Sequence, residues 1–483
     1  MKNTFALINK TPPEVLFLIP TYWEDSDRAG GSIKLTHVCH SWRGVFTSCP
    51  SLWTRLDCGN VDKTRVYLER SKRSPLEIRF EQANDASHRE NAFLLAVPHI
   101  DRLKTLLVSG NPTQILPVLA RNFFRPAPIL EKLEINLGDD QSCTLPGNLF
   151  DRDLSSLREL NLAGVITSLS WRGLSNLSTF NLTFVPEGKI LLTQLLDFFE
   201  ATPHLRHIKL RNSIPNSSNA PIERVVSLPH LRELSIIAQP AHSILLNHLS
   251  IPAGASLHLE FTFSGGESPI PSYLPKSPNL HNFSHFTTVN LRFGSGQRYA
   301  RLNGPGGELY ILGHWARVGS TPHTGTGRFI QSLDQFDISR GQRLAITLCG
   351  CPPPSASIET WPAYRTFFSM EDLRSVTLTQ CNNVPFILAL NPSKNPSKDI
   401  LCHKLEEIVL YIQRPDQVYT KELLSMAEER ALRGVKLPAI TIISTDALAP
   451  MKEVFRLRKH VSRVEYKFEN EPPRWDALPT QAI

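Results

Sequence analysis

The chain has 483 residues, of which 41% are hydrophobic and 20% charged, and its formal net charge is +7. Because this length exceeds one ordinary hydrophobic core, we expect two or more units or one elongated solenoid. No apolar run reaches the roughly 18 residues of a membrane-spanning helix, and the first residues lack the apolar stretch of a signal peptide. These features predict a cytoplasmic or nuclear protein without a membrane partner.

The sequence carries no motif of a catalytic or metal site. None of the 8 cysteines forms the C-x-x-C pair typical of zinc ligands, and only Cys349 and Cys351 come near it. A nucleophile elbow, a phosphate-binding loop and an H-E-x-x-H motif are also missing from the sequence. We therefore expect a binding protein that is not an enzyme and that holds no cofactor or metal.

The segment from Thr11 to Leu56 is short, helical in pattern and too apolar to stand alone. Thr11-Pro12-Pro13-Glu14 has the form of a capping box before a first helix that Pro20 ends. Ser32 is predicted to cap a second helix, in which apolar residues recur at steps of three and four. These residues are Leu35, Val38, Cys39, Trp42, Val45 and Phe46. The sequence Pro50-Ser-Leu-Trp53 then predicts a short helical turn.

This segment resembles an F-box. The matching pieces are Pro12-Pro13-Glu14, Leu16 with Ile19, Val38-Cys39-x-x-Trp42-Arg43, and Pro50-Ser-Leu-Trp53. The resemblance implies docking onto the Skp-type adaptor of a cullin ubiquitin ligase. On the matching positions it implies contacts through Pro12, Pro13, Leu16, Ile19, Leu35, Val38, Cys39 and Trp42. Internal packing is the alternative for each of these side chains, and residues 8–74 also resemble a large group of fungal F-box proteins with a leucine-rich region.

The next residues form a predicted connector that leads into a repeat region. Lys63–Ser71 is typical of a helix with Val66 and Leu68 inward, and Leu76–Phe80 alternates like a strand. From Leu103 the pattern L-x-x-L-x-L recurs, with starts at residues 103, 130, 157, 177, 205 and 231. These spacings suit leucine-rich repeats, which run about 20–29 residues. The pattern continues less regularly at 257, 286, 373, 405 and 461.

We therefore predict an α/β fold in which a small N-terminal helical F-box precedes an irregular leucine-rich-repeat-like solenoid with a parallel inner sheet. An ordinary α/β domain with parallel strands is the alternative. The predicted boundaries are 8–57 for the F-box, 58–80 for the connector and first strand, 81–470 for the solenoid and 471–483 for a flexible tail. A Gly/Pro-rich segment near 294–354 interrupts the repeats.

Several further elements are predicted within the solenoid. Leu191–Glu200 and Lys421–Arg433 suit helices, and Lys452–Lys467 suits a helix followed by a strand. Strands are predicted at Glu308–Leu312 and Arg343–Leu348, a degenerate repeat at Leu333/Phe336/Ile338, and a polar surface loop at Asn391–Lys398.

Strand alternation places the residues between the repeat leucines on the opposite, exposed face. His207, Lys209 and Arg211 form the most basic strand of that face, and Asn181, Asn290 and Arg292 also lie on it. These six residues are the candidate substrate-binding residues. An acidic or phosphorylated segment would suit the basic strand, and a plain solvated strand is the alternative.

Together these patterns predict the substrate-recognition subunit of a Skp–cullin–F-box ubiquitin ligase, acting in protein degradation. Its partners would be the adaptor, through it a cullin, and a protein substrate, and no nucleic acid is expected. The alternative is a leucine-rich-repeat interaction scaffold without a ligase role.

Overall fold

The computed structural model describes residues 11–16, 18–19, 25–81, 86–138, 143–166, 173–185, 190–213, 224–238, 240–252, 254–263, 286–293, 297–305, 307–315, 338, 340–348, 370–379, 384–395, 398–412, 417–444 and 451–468. The chain divides into two units. The first comprises Met1–Pro221 and Val226–Leu231, and the second comprises Ile222–Val225 and Arg232–Ile483. Helices and mostly parallel strands mix in both units, which confirms the predicted α/β class in this coarser form.

The described helices of the first unit precede or connect its strands. They are α1 (Pro13–Leu16), α2 (Asp25–Thr36), α3 (His40–Thr47), α4 (Val61–Ser71), α5 (Ala86–Ala96), α6 (Pro112–Asn122) and α7 (Leu192–Ala201), with 3-10 turns at Pro50–Trp53, Val97–Arg102, Leu149–Arg152 and Leu174–Asn176. The predicted turn at Pro50 and the predicted helices at Lys63–Ser71 and Leu191–Glu200 are confirmed. The 3-10 turn and α4 pack through Trp53 and Tyr67, whose rings lie 5.0 Å apart edge to face.

The predicted second helix is wrong as a single element, because the chain breaks between α2 and α3. Cys39 has an extended backbone (φ −160°, ψ 174°) and is the N-cap of α3, where its Sγ accepts a hydrogen bond of 3.5 Å from the Trp42 amide. Ser32 lies inside α2 instead of capping it, and its hydroxyl donates to the Leu52 carbonyl at 2.8 Å. Two short helices thus share the apolar period that we assigned to one.

The inward face of α4 also differs from the prediction. Leu68 is buried as expected, but Val66 is exposed and Tyr67 is buried in its place. The ring of Trp53 favours Tyr67 at the buried position, because the two rings form an edge-to-face contact that an aliphatic side chain cannot make.

The strands of the first unit form one principal sheet and a small pair. They are β1 (Arg55–Leu56), β2 (Leu76–Glu81), β3 (Leu103–Ser109), β4 (Lys132–Asn136), β5 (Cys143–Thr144), β6 (Glu159–Ala163), β7 (Val165–Ile166), β8 (Thr179–Thr183), β9 (His207–Arg211) and β10 (Val226–Ser227). In the sheet β1, β2, β3, β4, β6, β8 and β9 follow one another in chain order, and every pairing is parallel. Strands β5 and β7 pair separately.

The register of this sheet stacks the repeats on one another. Leu106 lies opposite Leu133, and Leu133 lies opposite Leu160. All three side chains are fully buried, and burying one leucine is worth roughly 1.5–3 kcal/mol. A column of phenylalanine rings packs behind the strands, since Phe80, Phe93 and Phe123 stack at centroid distances of 4.5 and 5.2 Å. Each repeat therefore covers the apolar side of its neighbour.

The second unit has described helices α8 (Val384–Leu390), α9 (Gln417–Leu432) and α10 (Met451–Leu457), and a 3-10 segment at Pro240–His248. Its strands are β11 (Glu233–Ala238), β12 (Leu249–Ser250), β13 (Ser256–Phe263), β14 (Thr288–Phe293), β15 (Gln297–Gly304), β16 (Gly307–Trp315), β17 (Arg343–Leu348), β18 (Ser375–Thr379), β19 (Glu407–Ile412), β20 (Leu437–Ser444) and β21 (Val461–Phe468). The predicted helix at Lys421–Arg433, the helix and strand at Lys452–Lys467, and both strands at Glu308 and Arg343 are confirmed.

A meander of three antiparallel strands, β14–β15–β16, interrupts the parallel sheet of the second unit. Strand β14 pairs with β15, and β15 with β16, both antiparallel. The meander joins its neighbours in parallel, with β16 beside β13 and β14 beside β17. From β17 the strands β18, β19, β20 and β21 continue in parallel and in chain order. The predicted loss of regularity after Gly294 therefore coincides with a reversal of strand direction.

The predicted polar surface loop at Asn391–Lys398 is confirmed only in part, because Asn391, Pro392 and Asn395 are buried. The amide of Asn391 donates to the Ser425 hydroxyl of α9 at 3.1 Å, and that of Asn395 to the Asp399 carbonyl at 2.9 Å. Asn391 and Asn395 therefore turn inward, whereas Ser393, Lys394 and Lys398 are exposed as predicted.

Some predicted elements lie outside the described residues. Among them are Leu333 and Phe336 of the degenerate repeat, of which Ile338 is described and buried, and the tail at 471–483. No helix in the described part of the chain is long and apolar enough to cross a membrane.

Candidate functional site

The N-terminal helices pack around a small apolar core. Leu16, Leu35, Trp42 and Phe46 are its buried members, and Ile19, Cys39, Val45 and Leu52 pack against it. The rings of Trp42 and Phe46 meet edge to face at 5.4 Å. Three of the candidate adaptor-binding residues, Leu16, Leu35 and Trp42, thus have their side chains in the module's own core.

The remaining candidates lie at the surface of this core or on its edge. Pro12 and Val38 are exposed, and Ile19 and Cys39 are half-buried. The side chain of Pro13 lies outside the described residues. Two further apolar side chains, Val15 and Leu18, are 49% and 53% exposed, as is Val38 at 53%. We call Val15, Leu18 and Val38 the uncovered apolar surface of the N-terminal module.

The sequence predicts an apolar face on the first helix formed by Val15, Leu16 and Ile19. It does not single out Leu18. The signal was present, since Val15 and Leu18 are three apart and share one side of a helical turn. The amide of Leu18 bonds to the Val15 carbonyl at 3.1 Å, which holds the two side chains near each other.

The exposed face of the first sheet carries a hydrogen-bonded polar network. The Lys132 ammonium lies 2.7 Å from Glu159 and 3.6 Å from Glu134. The Asn161 amide donates to Glu159 at 2.8 Å and to Glu134 at 3.3 Å. The Asn181 amide continues the chain by donating to the Asn161 carbonyl oxygen at 2.7 Å. Asn181 is therefore fixed in orientation by a ladder that extends over β4, β6 and β8.

The basic strand β9 lies directly beside this network. His207, Lys209 and Arg211 stand opposite Thr179, Asn181 and Thr183. His207 and Lys209 are exposed, while Arg211 is half-buried with its guanidinium 5.3 Å from the ring centroid of Phe184. The structure thus brings four of the six candidate substrate-binding residues together.

The other two candidates, Asn290 and Arg292, lie on β14 in the second unit. Asn290 stands opposite Arg301, and Arg292 opposite Tyr299, both on β15. The six residues therefore fall into two sets, one in each unit, and each set is a separate candidate surface.

Asn290 and Arg292 border a cluster that sequence reasoning missed, formed by His258, Tyr299, Arg301, Glu308 and Tyr310. The His258 and Tyr310 rings lie 4.1 Å apart and the Tyr299 and Tyr310 rings 5.0 Å apart, both edge to face. Arg301 and Glu308 form an ion pair. The sequence did carry a signal for it. Tyr299 and Arg301 are two residues apart on one strand, and Glu308 and Tyr310 are two apart on the next, so each pair lies on one face of the sheet. We call these five residues the aromatic–charged cluster.

Burial sets the protonation of this cluster. It raises the pKa of Tyr299 to about 12, although Arg301 acts in the opposite direction. Burial, and then the carboxylate of Glu260, also raise the pKa of Tyr310. Both phenols therefore stay protonated well above neutral pH and remain hydrogen-bond donors.

No group of three or more histidine, cysteine or acidic side chains within the described residues is placed to hold a metal ion. The arrangement offers hydrogen-bond donors, ion pairs and apolar surface, which are the means of binding a polypeptide.

No protein-family model and no curated protein matches the sequence of this chain.

Proposed function

We propose that this chain is the substrate receptor of a Skp–cullin–F-box ubiquitin ligase. In this proposal the N-terminal helices are an F-box that docks the Skp-type adaptor, and the repeats form an irregular leucine-rich solenoid that holds a protein substrate. The chain performs no chemistry itself and acts by raising the local concentration of the substrate at the ligase.

The observation that carries the proposal is the uncovered apolar surface beside the packed core of the N-terminal module. Val15, Leu18 and Val38 are each about half exposed, although Leu16, Leu35 and Trp42 next to them are buried. Covering half of such a side chain is worth roughly 1 kcal/mol. Three of them, with Pro12 at the margin, supply part of the free energy that adaptor association requires.

The face of the first sheet supports the second half of the proposal. On β4 and β6 the ammonium of Lys132 is already engaged by the carboxylates of Glu134 and Glu159. In contrast, Lys209 is exposed on β9 and has no acidic partner among the described residues. The orientation of Asn181 beside it is fixed, so the exposed face of β9 is suited to the acidic groups of a bound substrate.

Capture of the purified chain by an immobilised Skp-type adaptor tests the docking half of the proposal. We expect the wild-type chain to bind and Val38→Asp combined with Leu18→Asp to lose at least about tenfold in affinity, because each variant buries an unpaired carboxylate in the interface. Leu16 is unsuitable for this test, since it is 3% exposed and its substitution would disrupt the core.

The control is Val66→Asp, which makes the same valine-to-aspartate change as Val38→Asp at an exposed valine of α4. It should bind the adaptor as the wild type does. A wild-type chain that does not bind the adaptor would instead favour the alternative, a leucine-rich scaffold whose N-terminal helices serve folding alone.

A further inference from the structure

The last described strand of the second sheet, β21, has an open edge in the part of the chain that the structure describes. Among those residues it pairs with β20 alone, in parallel. Strand β21 is 8 residues long and contains no proline, whereas β1, at the start of the first sheet, has 2 residues. A long edge strand is a template on which another strand can pair, because its outward N–H and C=O groups have no partner strand.

The apolar side of β21 is incompletely covered. Val464, Tyr466 and Phe468 alternate on the side of the strand that faces the core. Val464 is 7% exposed, Tyr466 is half-buried, and Phe468 is 52% exposed. The terminal repeat of a solenoid needs a cap, since no further repeat covers its apolar side. Phe468 therefore marks a place where the described residues supply no apolar cover.

The other side of β21 carries charges of alternating sign. Arg463, Glu465 and Lys467 occupy every second position. One carboxylate oxygen of Glu465 lies 3.5 Å from Arg463 Nε, and the other lies 3.3 Å from Lys467 Nζ. Ion pairs this exposed are worth little within one chain. A carboxylate accepts about four hydrogen bonds and an ammonium donates three, so each group has capacity for a second partner.

We propose that β21 pairs in antiparallel orientation with β21 of a second copy of this chain, across a two-fold axis at Tyr466. In this register Glu465 of each copy stands opposite Lys467 of the other, which gives two ion pairs between the copies. On the apolar side Val464 of each copy stands opposite Phe468 of the other and covers its exposed ring. The strand from 464 to 468 is thus complementary to itself.

The charges select this register over the neighbouring ones. A two-fold axis that passes through a residue keeps outer side chains opposite outer ones, so these registers are the ones to compare. An axis at Glu465 would set Glu465 against its own copy and Arg463 against Lys467, and like charges opposite each other destabilise a sheet. An axis at Val464 would pair Arg463 with Glu465 but leave Lys467 opposite the apolar Val461.

Basic residues on an edge strand usually prevent association. This protection fails when the approaching strand places a carboxylate opposite each ammonium. Residues opposite each other on paired strands have Cβ atoms about 5 Å apart, whereas alternate residues of one strand are about 7 Å apart. The ion pairs between copies are therefore shorter in reach than those within β21 and form beside them. Because the strand is complementary to itself, its charges favour a second copy over an unrelated strand.

This inference goes beyond the proposed receptor function and does not depend on it. Sedimentation velocity of the whole chain from about 1 to about 100 µM tests it. We expect the wild-type monomer of 54.3 kDa to double its mass as the concentration rises. Glu465→Lys and Lys467→Glu should each weaken self-association about tenfold, because two attractive pairs between the copies become repulsive.

Mixing the two single variants gives the sharpest measurement. A dimer of one Glu465→Lys copy and one Lys467→Glu copy has two basic residues facing two acidic ones, so both opposite pairs are complementary again. We expect the mixture to associate about as tightly as the wild type, although neither variant does so alone. Both changes combined in one chain should likewise restore self-association.

The control is Lys72→Glu, the same change as Lys467→Glu at an exposed lysine of the first unit. It should dimerise as the wild type does. Circular dichroism melting of every variant shows that each is folded.

Three outcomes would overturn the inference. A wild-type chain that stays monomeric up to about 100 µM would leave the edge to other residues of this chain or to a strand of another protein. Dimerisation that neither single variant weakens would place the contact elsewhere, for example at the uncovered apolar surface of the N-terminal module. Folded single variants that do not associate when mixed, together with a combined variant that stays monomeric, would exclude the antiparallel register.

Discussion

The indole Nε1 of Trp53 donates a hydrogen bond of 2.9 Å to the backbone carbonyl of Phe46. Both side chains are fully buried. The Arg70 guanidinium lies 4.3 Å from the Trp53 ring centroid on the other side, and Tyr67 contacts the ring edge to face. Trp53 thus connects the C-terminal turn of α3 with α4, and it fixes the N-terminal module to the start of the repeat region.

Trp53→Phe should lower the free energy of unfolding by about 1–3 kcal/mol, because it leaves the buried Phe46 carbonyl without a donor and reduces the area of the ring contact with Tyr67. Chemical denaturation monitored by circular dichroism measures this loss. Phe124→Leu, at an exposed aromatic residue, should change stability by no more than about 0.5 kcal/mol. Equal stability of Trp53→Phe and the wild type would contradict the role given to Trp53.

Arg430 is fully buried on α9 and donates to the carbonyls of Leu401 and Cys402 at 2.7 and 3.0 Å. Arg430→Met should cost about 3 kcal/mol or more, because both carbonyls lose their donor. Arg433→Met is the matched control, since Arg433 follows the last residue of α9, is exposed, and donates to the Lys398 carbonyl at 2.6 Å. It should cost about 1 kcal/mol at most. Urea unfolding of both variants distinguishes the two positions.

Gly164 has φ +69°, and a Cβ there would lie 1.8 Å from the Gly138 carbonyl oxygen. Gly164→Ala should therefore destabilise the first unit by about 3 kcal/mol, through steric overlap and left-handed backbone strain together. Gly138 has φ +80° and open space around it, so Gly138→Ala carries only the backbone strain, about 1–2 kcal/mol. The difference in melting temperature between Gly164→Ala and Gly138→Ala measures the cost of the steric overlap at Gly164. Identical melting temperatures would contradict this overlap.

Burial, and then the carboxylate of Asp57, raise the pKa of the Cys58 thiol from 9.0 to about 12. A pKa that is higher in the folded chain means that the folded state retains a proton the unfolded state loses. The stabilisation is complete below the unfolded pKa of 9.0 and is lost as pH rises toward 12. Urea midpoints measured between about pH 8 and about pH 10 should fall less steeply in Cys58→Ala than in the wild type. Parallel slopes would contradict this linkage.

The repeat strands were predictable because burial imposes their pattern. On β3 the apolar residues Leu103, Leu106 and Val108 occupy the positions that face the interior, and all three are buried. Strand β20 was missed for a related reason, since it is buried on both faces apart from Pro438 and so shows no alternation.

Features that depend on contacts between distant parts of the chain could not be predicted from the local sequence pattern. The apolar period is continuous through Cys39, although the helix breaks there, because an N-cap needs only one extended residue. The patterns at β14 and β16 predict strands but carry no information on their direction. The aromatic–charged cluster depends on that direction, since His258 and Tyr310 are adjacent only because β16 returns to β13.

The return of β16 to β13 also has a consequence for how the second unit assembles. Ser256 pairs with Glu308, 52 positions later, whereas Leu106 pairs with Leu133 only 27 positions later. A growing chain can add each strand of the first sheet as it emerges from the ribosome, but one edge of β13 must wait until the whole meander has been synthesised. Strand β14 makes a similar long-range pairing, since Thr288 pairs with Arg343, 55 positions later. The slowest steps in maturation should therefore be the closures of these two long loops, and that interval is when a chaperone would have most to protect.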